Sequence, residues 1–252
     1  MNNFITYEYK SVIISELSKK TILMIGRSND RFKRLELGIQ SMEYITKRIN
    51  YCEMNIISNI TKNIYLQLLV NDLNLEKNIK FVGYSSSPEI YFKNSSLHIF
   101  STISESFGLV LSETKIYGIP TILLGLDYVS ISNGGTSIIY DDKPESISKI
   151  AMKILMNEKY KKKLGTDARI SMKKFKNDLL LEKWVKLILS IYKGESFYEE
   201  FRNSYSKLSE EESLKIINSQ IKLLKLRKKK FQNITITDIE NFTFIKNIGF
   251  KM

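Results

Sequence analysis

Two carboxylates, Glu105 and Glu113, lie eight residues apart in the segment Ser101-Thr-Ile-Ser-Glu-Ser-Phe-Gly-Leu-Val-Leu-Ser-Glu-Thr-Lys-Ile-Tyr-Gly-Ile-Pro120. A short apolar run, Leu97 to Phe100, leads into a polar bend there, and Gly108 sits at the turn into a helix. Gly118-Ile-Pro120 closes that helix before the next apolar run. Backbone N–H groups at a helix start have no intrahelical partner and attract anions. Carboxylates fixed beside them accept hydrogen bonds from hydroxyl groups. Phosphate and sugar in one ligand, a sugar on a nucleotide diphosphate, fits both. The plainer alternative is two exposed carboxylates flanking a helix, with Glu105 favouring the helix dipole and Gly108 serving an ordinary turn.

A second group lies near the N-terminus. Gly26-Arg27 follows the first apolar strand, and Lys33 comes six residues later near a helix start. Negative charge developing on a departing nucleotide diphosphate needs positive partners, and Arg27 and Lys33 supply them without a metal. Alone, the pair reads equally as solvated loop cations. Val82-Gly83-Tyr84 ends a third strand. Gly83 there either lets the backbone approach a flat base or terminates the strand. Asn133-Gly134-Gly135 is either a loop that closes on a ligand or a hairpin-like turn. Gly-x-Gly-x-x-Gly after the first strand and a Gly-Lys-Ser/Thr phosphate loop are both absent, which argues against a dinucleotide dehydrogenase and a P-loop enzyme.

The elements that must hold these residues alternate strand and helix from Thr21 onward. Strands are expected at Thr21–Ile25, Met54–Ile57, Ile79–Gly83, Leu97–Phe100, Pro120–Leu124 and Ser137–Tyr140. Leu35, Ile39, Met42 and Ile45 predict a helix from Arg31 to Lys47. Ile64–Leu73 reads as helix, and Ser87-Pro88 and Asp142-Lys-Pro144 begin two more. Such alternation gives an α/β fold, a doubly wound parallel sheet with ligands at the carboxyl ends of its strands. Pro144–Tyr192 is mostly helical, and Trp184, Leu187, Ile188 and Ile191 form a stripe expected to pack on the sheet. The parts are a strand or linker at 1–20, a Rossmann-like domain at 21–193 and a helical extension at 194–252. In the extension, Ser209-Glu-Glu-Glu212 is a capping box that opens a basic amphipathic helix over 209–230.

Composition narrows the class. The 252 residues include 43% hydrophobic and 11% aromatic side chains, enough for a buried core. Cys52 is the single cysteine and His98 the single histidine, which excludes an internal disulfide and disfavours a Cys/His metal site. A cytoplasmic setting follows, and no run is long enough to span a bilayer. His98, inside an apolar run, reads as a packed structural residue. The net charge is +12, carried by lysine with only seven arginines, which disfavours nucleic acid and leaves contact with an anionic membrane surface open.

Gly26-Arg27 with Lys33, Lys80-Phe-Val-Gly83, Ser-Glu-Ser-Phe-Gly-Leu109 with Glu113, Gly118-Ile-Pro120 and Asn133-Gly134-Gly135 together resemble a known family. They are similar to the nucleotide-binding C-terminal half of a GT-B-fold, group-4 retaining glycosyltransferase, over about Ile22 to Tyr192. The resemblance implies that Arg27 and Lys33 hold the diphosphate, Glu113 the ribose, and Glu105 the donor sugar near its reacting carbon. Gly26, Gly83 and the backbone from Ser106 to Leu109 would line the donor. It implies metal-independent transfer with retention, with no cofactor beyond the donor itself. Only about twenty residues precede the first strand, so the acceptor-binding domain is expected in a separate domain or subunit. A subunit that binds nucleotide sugar without catalysis, or a truncated remnant, is the alternative.

Overall fold

The computed structural model describes residues 13–59, 64–126 and 129–192. The expectations for 1–12 and 193–252, including the helix over 209–230, lie outside the described residues. The described residues form six strands: β1 (Thr21–Ile25), β2 (Glu53–Ile57), β3 (Ile79–Phe81), β4 (Leu97–Phe100), β5 (Thr121–Leu124) and β6 (Thr136–Ile139). They form one sheet in the order β3-β2-β1-β4-β5-β6, every neighbouring pair parallel. Register is set by pairs such as Ile22 with Met54 on one side and Leu97 on the other.

Strand residues alternate between two cores, as the pleat requires. Ile22, Met24, Met54, Ile56, Ile99, Ile122 and Leu124 pack into one cluster. Leu23 and Ile57 join Phe92, Tyr117 and Ile119 across the sheet, and Phe100 and Leu123 join Phe107, Leu111 and Ile116. Both faces are covered, which explains why the strands are almost continuously apolar. The helices are α1 (Leu35–Thr46), α2 (Ile64–Asp72), α3 (Glu89–Lys93), α4 (Leu109–Ile116), α5 (Pro144–Met156), α6 (Glu158–Ser171) and α7 (Asn177–Tyr192), with a 3-10 turn at Met172–Phe175. The expected α/β fold and doubly wound parallel sheet are present.

Gly108 stands at the turn into helix α4 as expected, left-handed at its cap (φ 84°), and the helix begins at Leu109. Three local expectations change. Helix α1 begins at Leu35, not Arg31, because Asp30 captures the preceding turn. Its carboxylate accepts from the Phe32 N–H at 3.0 Å, and its carbonyl accepts from the Lys33 N–H at 2.9 Å. Gly134 and Gly135 do not turn a hairpin. They lead into parallel β6 and lie against α6, where a Cβ on Gly134 would meet Asp167 O at 2.9 Å. The α7 stripe does not pack on the sheet: Trp184 is 36%, Ile188 59% and Ile191 66% exposed, and Leu180 is the buried residue of the helix. Periodicity shows which face of a helix is apolar, not what covers it.

Candidate functional site

The order of the strands reverses between β1 and β4, so the loops leaving those two strands diverge to either side and open a crevice. The β1–α1 loop folds on itself. Arg27 pairs with Asp30 at 2.8 Å and is 78% exposed at its side chain, so its head reaches solvent above the loop. Gly26 is where the Lys33 stem crosses. A Cβ at Gly26 would sit 3.1 Å from Lys33 Cβ and 3.2 Å from its Cγ. The loops are stitched together from behind: Ser101 Oγ donates to the Lys33 carbonyl at 2.7 Å, and the Ile103 N–H donates to the Phe32 carbonyl at 3.0 Å.

Across the crevice stands the β4–α4 junction. Glu105 is half-buried, and its Oε2 lies 3.2 Å from Lys33 Nζ. The same ammonium lies 5.9 Å from the centroid of the Phe100 ring. The other Glu105 oxygen accepts from the Ser106 N–H at 3.2 Å. The Phe107 ring turns inward and packs edge-on against Phe175 at 5.7 Å, leaving only its backbone to the crevice. Gly108 brings the chain into α4 without a side-chain cap, and the first turn of α4 carries no acid. That is a helix start able to accept an anion. Leu109 is 44% exposed beside it.

The structure therefore brings Lys33, Glu105, Gly26 and the backbone of Ser106 to Leu109 to one place. Glu113 lies one turn further along α4 and is half-buried. Its charge and that of Glu89, after the larger effect of burial, raise the pKa of Tyr117. Gly83 follows β3 with φ 75° and open space where a Cβ would be, and the neighbouring Tyr84 is 86% exposed. Among the described residues, no three His, Cys, Asp or Glu side chains gather to hold a metal ion, and no helix is long and apolar enough to cross a membrane.

Two residues around this crevice escaped the sequence reading. Lys115, on the inner side of α4, is wholly buried, donating to the Ile131 carbonyl at 2.5 Å and to the Asn133 carbonyl. Burial, aided by Lys174, lowers its pKa to about 7. Arg34 is buried behind Lys33 and bonded to Asp142. Nothing in the local pattern separates either from a surface cation, because their partners lie in distant loops.

Comparison with known proteins follows from this geometry. Residues 8–171, well over half the chain, match the family described as Glycosyl transferases group 1. A poly(ribitol-phosphate) alpha-N-acetylglucosaminyltransferase of Staphylococcus aureus (strain COL) is 26% identical over 168 residues, 63% of this chain and 33% of that protein. A poly(glycerol-phosphate) alpha-glucosyltransferase of Bacillus subtilis (strain 168) is 21% identical over 181 residues, 70% of this chain and 25% of that protein. The chain thus spans about a third or less of these relatives. Among solved structures, TarM superposes with a TM-score of 0.64 at 22% identity, over 73% of this chain and 38% of TarM. The pneumococcal O-GlcNAc transferase GtfA, in complex with UDP and GlcNAc, gives 0.61 at 18% identity, over 72% and 38%. A C-terminal domain of a group 1 glycosyl transferase (LpcC) from Francisella tularensis gives 0.56 at 13% identity and is covered over 96% of its length, with 66% of this chain. These structures share the fold, and the sequence match across 8–171 makes this chain a member of the group 1 glycosyl transferases.

Proposed function

We propose that the chain is the donor-binding half of a retaining glycosyltransferase that uses a nucleotide-diphosphate sugar. The observation that carries this reading is the Lys33–Glu105 pair, 3.2 Å apart, beside the uncapped start of α4 where the strand order reverses. An arriving diphosphate would take over the Lys33 ammonium and the N–H groups of the helix start. Glu105, released from that pairing, would accept from hydroxyls of the donor sugar, and Glu113 from the ribose. When the sugar's anomeric bond to phosphate breaks, the nucleotide diphosphate leaves with extra negative charge. Lys33, Arg27 and the α4 amides would stabilise that charge, a contribution that needs no bound metal.

Structural relatives solved with UDP make UDP-sugars the first donors to test. The curated relatives are named for transfer of N-acetylglucosamine and glucose onto polyol-phosphate polymers, which makes those polymers the first acceptors. Because the chain spans a third or less of their length, the acceptor side of the cleft would come from a separate domain or subunit. The same fact favours a second reading, a subunit that binds the donor without catalysing. Donor hydrolysis by the chain alone, measured as nucleotide release, selects the enzyme over the binding subunit.

A thermal-shift panel of UDP, GDP and ADP with their sugars tests the site. A ligand at about 100 times its Kd should stabilise the fold by about 2.7 kcal/mol. Lys33→Ala and Glu113→Ala should each remove most of that shift. If none of the nucleotides raises the midpoint, the donor-site reading is wrong.

A further inference from the structure

We infer that Arg34 is a positioning residue for the phosphate grip: its ion pair with Asp142 fixes the loop that aims Lys33 at Glu105. The inference rests on the donor-site reading above and adds to it a residue that does not touch the donor. Arg34 follows Lys33 directly and is buried, 6% exposed at its side chain. Its Nη1 donates to Asp142 Oδ1 at 2.5 Å, and its Nε lies 3.6 Å from Glu36 Oε1. Asp142 follows β6 and is 108 residues away in sequence, so the pair ties the β1–α1 loop to the segment that opens α5. That anchor is itself braced. Asp141 accepts from the Lys143 N–H at 3.2 Å and from Ser146 Oγ at 2.9 Å, and Tyr44 of α1 donates to Glu145 of α5 at 2.7 Å.

The backbone of Arg34 shows that the side chain matters. It is left-handed, φ 49° and ψ 47°, at the cap of α1. A bulky residue is strained there, and glycine or asparagine would turn the chain with less cost. Only a guanidinium at this point, however, reaches both Asp142 and Glu36. The neighbouring residues are held too: Phe32 by the Ile103 N–H and the Lys33 carbonyl by Ser101. With Arg34 anchored, the Lys33 stem has one path, over Gly26 to Glu105. Without it, only those backbone hydrogen bonds hold the last turn before α1, and the ammonium is aimed less tightly.

The test uses whichever of UDP, GDP and ADP gives the largest thermal shift, with the matching nucleoside as control, both measured by calorimetry on the full chain. Arg34→Asn suits the positive φ and cannot reach Asp142, and Asp142→Ala removes the other end. Each should weaken nucleoside diphosphate binding about tenfold while leaving nucleoside binding unchanged. In a Lys33→Ala background, adding Arg34→Asn should cost little further affinity, because both act on one contact. If Arg34→Asn does not fold, Asp142→Ala and its combination with Lys33→Ala carry the same comparison. If Lys33→Ala weakens binding and the Arg34 and Asp142 variants do not, or their losses simply add to it, the positioning role is wrong and the donor site stands. If Lys33→Ala itself changes nothing, or no nucleotide binds, the donor-site reading fails and takes this inference with it.

Discussion

His98 shows how far one buried side chain can couple the fold to pH. It is fully buried on β4, with Nδ1 3.1 Å from Thr114 Oγ1 and 3.4 Å from Thr121 Oγ1, as its apolar surroundings in sequence suggested. Burial lowers its pKa to about 3, whereas in the unfolded chain it lies near 6.5. The unfolded state therefore binds the proton first. Stability is complete above about pH 6.5 and is lost as pH falls toward the folded value, at up to ~1.4 kcal/mol per pH unit. His98 is the single histidine, and most carboxylates titrate lower, so the window between about pH 6.5 and 5 belongs to it. Urea unfolding at about pH 7 and pH 5 should show a loss near 2 kcal/mol, shrinking in His98→Asn. Equal losses in both proteins would assign the dependence to other groups. The same scale shows the limit of reading residues singly. Gly26, Lys33 and Glu105 were all legible as candidate site residues, but that Lys33 crosses Gly26 and meets Glu105 is a fact of three dimensions.

Helix α4 gathers more of the site than any other element. Its N-terminus faces the crevice and its buried side holds the β5–β6 connection through Lys115. The Ile131 and Asn133 carbonyls both accept from this ammonium, and Ile131 in turn supports the helix start. A Cβ on Gly108 would lie 3.6 Å from Ile131 Cδ1 and 3.5 Å from Glu105 Cγ. Lys115→Met keeps the bulk and removes both donors, leaving two carbonyls to find partners. A stability loss of about 2–3 kcal/mol by chemical denaturation is expected, and a loss under ~0.5 kcal/mol would mean the loop is held by packing alone. The beginning of α1 was placed a few residues early from periodicity, because a turn intervened whose geometry rests on specific contacts of Asp30 with Phe32 and Lys33.

At the scale of the molecule, α7 is the least integrated described element. Leu181, Trp184, Val185, Ile188 and Ile191 are exposed along it, and its buried contact is Leu180 beside the 3-10 turn. Ile188, 59% exposed, has little burial to lose. Ile188→Glu should therefore shift stability by less than about 0.5 kcal/mol in chemical denaturation. A large loss of stability would show instead that this face is packed in solution. The family match from 8 to 171 ends at the C-terminus of α6, just before this helix.

The amino-acid pattern alone determined the α/β class, the six strands within a residue or two, and the strand-to-helix junction between Glu105 and Glu113 with its glycine turn. Those features are local: apolar runs, helical periodicity and turn residues act over a few positions. Tertiary structure decided what meets what. It joined Lys33 to Glu105 across 72 residues and Arg34 to Asp142 across 108, turned Gly134 and Gly135 against α6, and left the α7 stripe exposed. Side chains so far apart along the chain meet only because parallel strands and their crossovers bring the loops to one edge, and no local preference encodes that meeting.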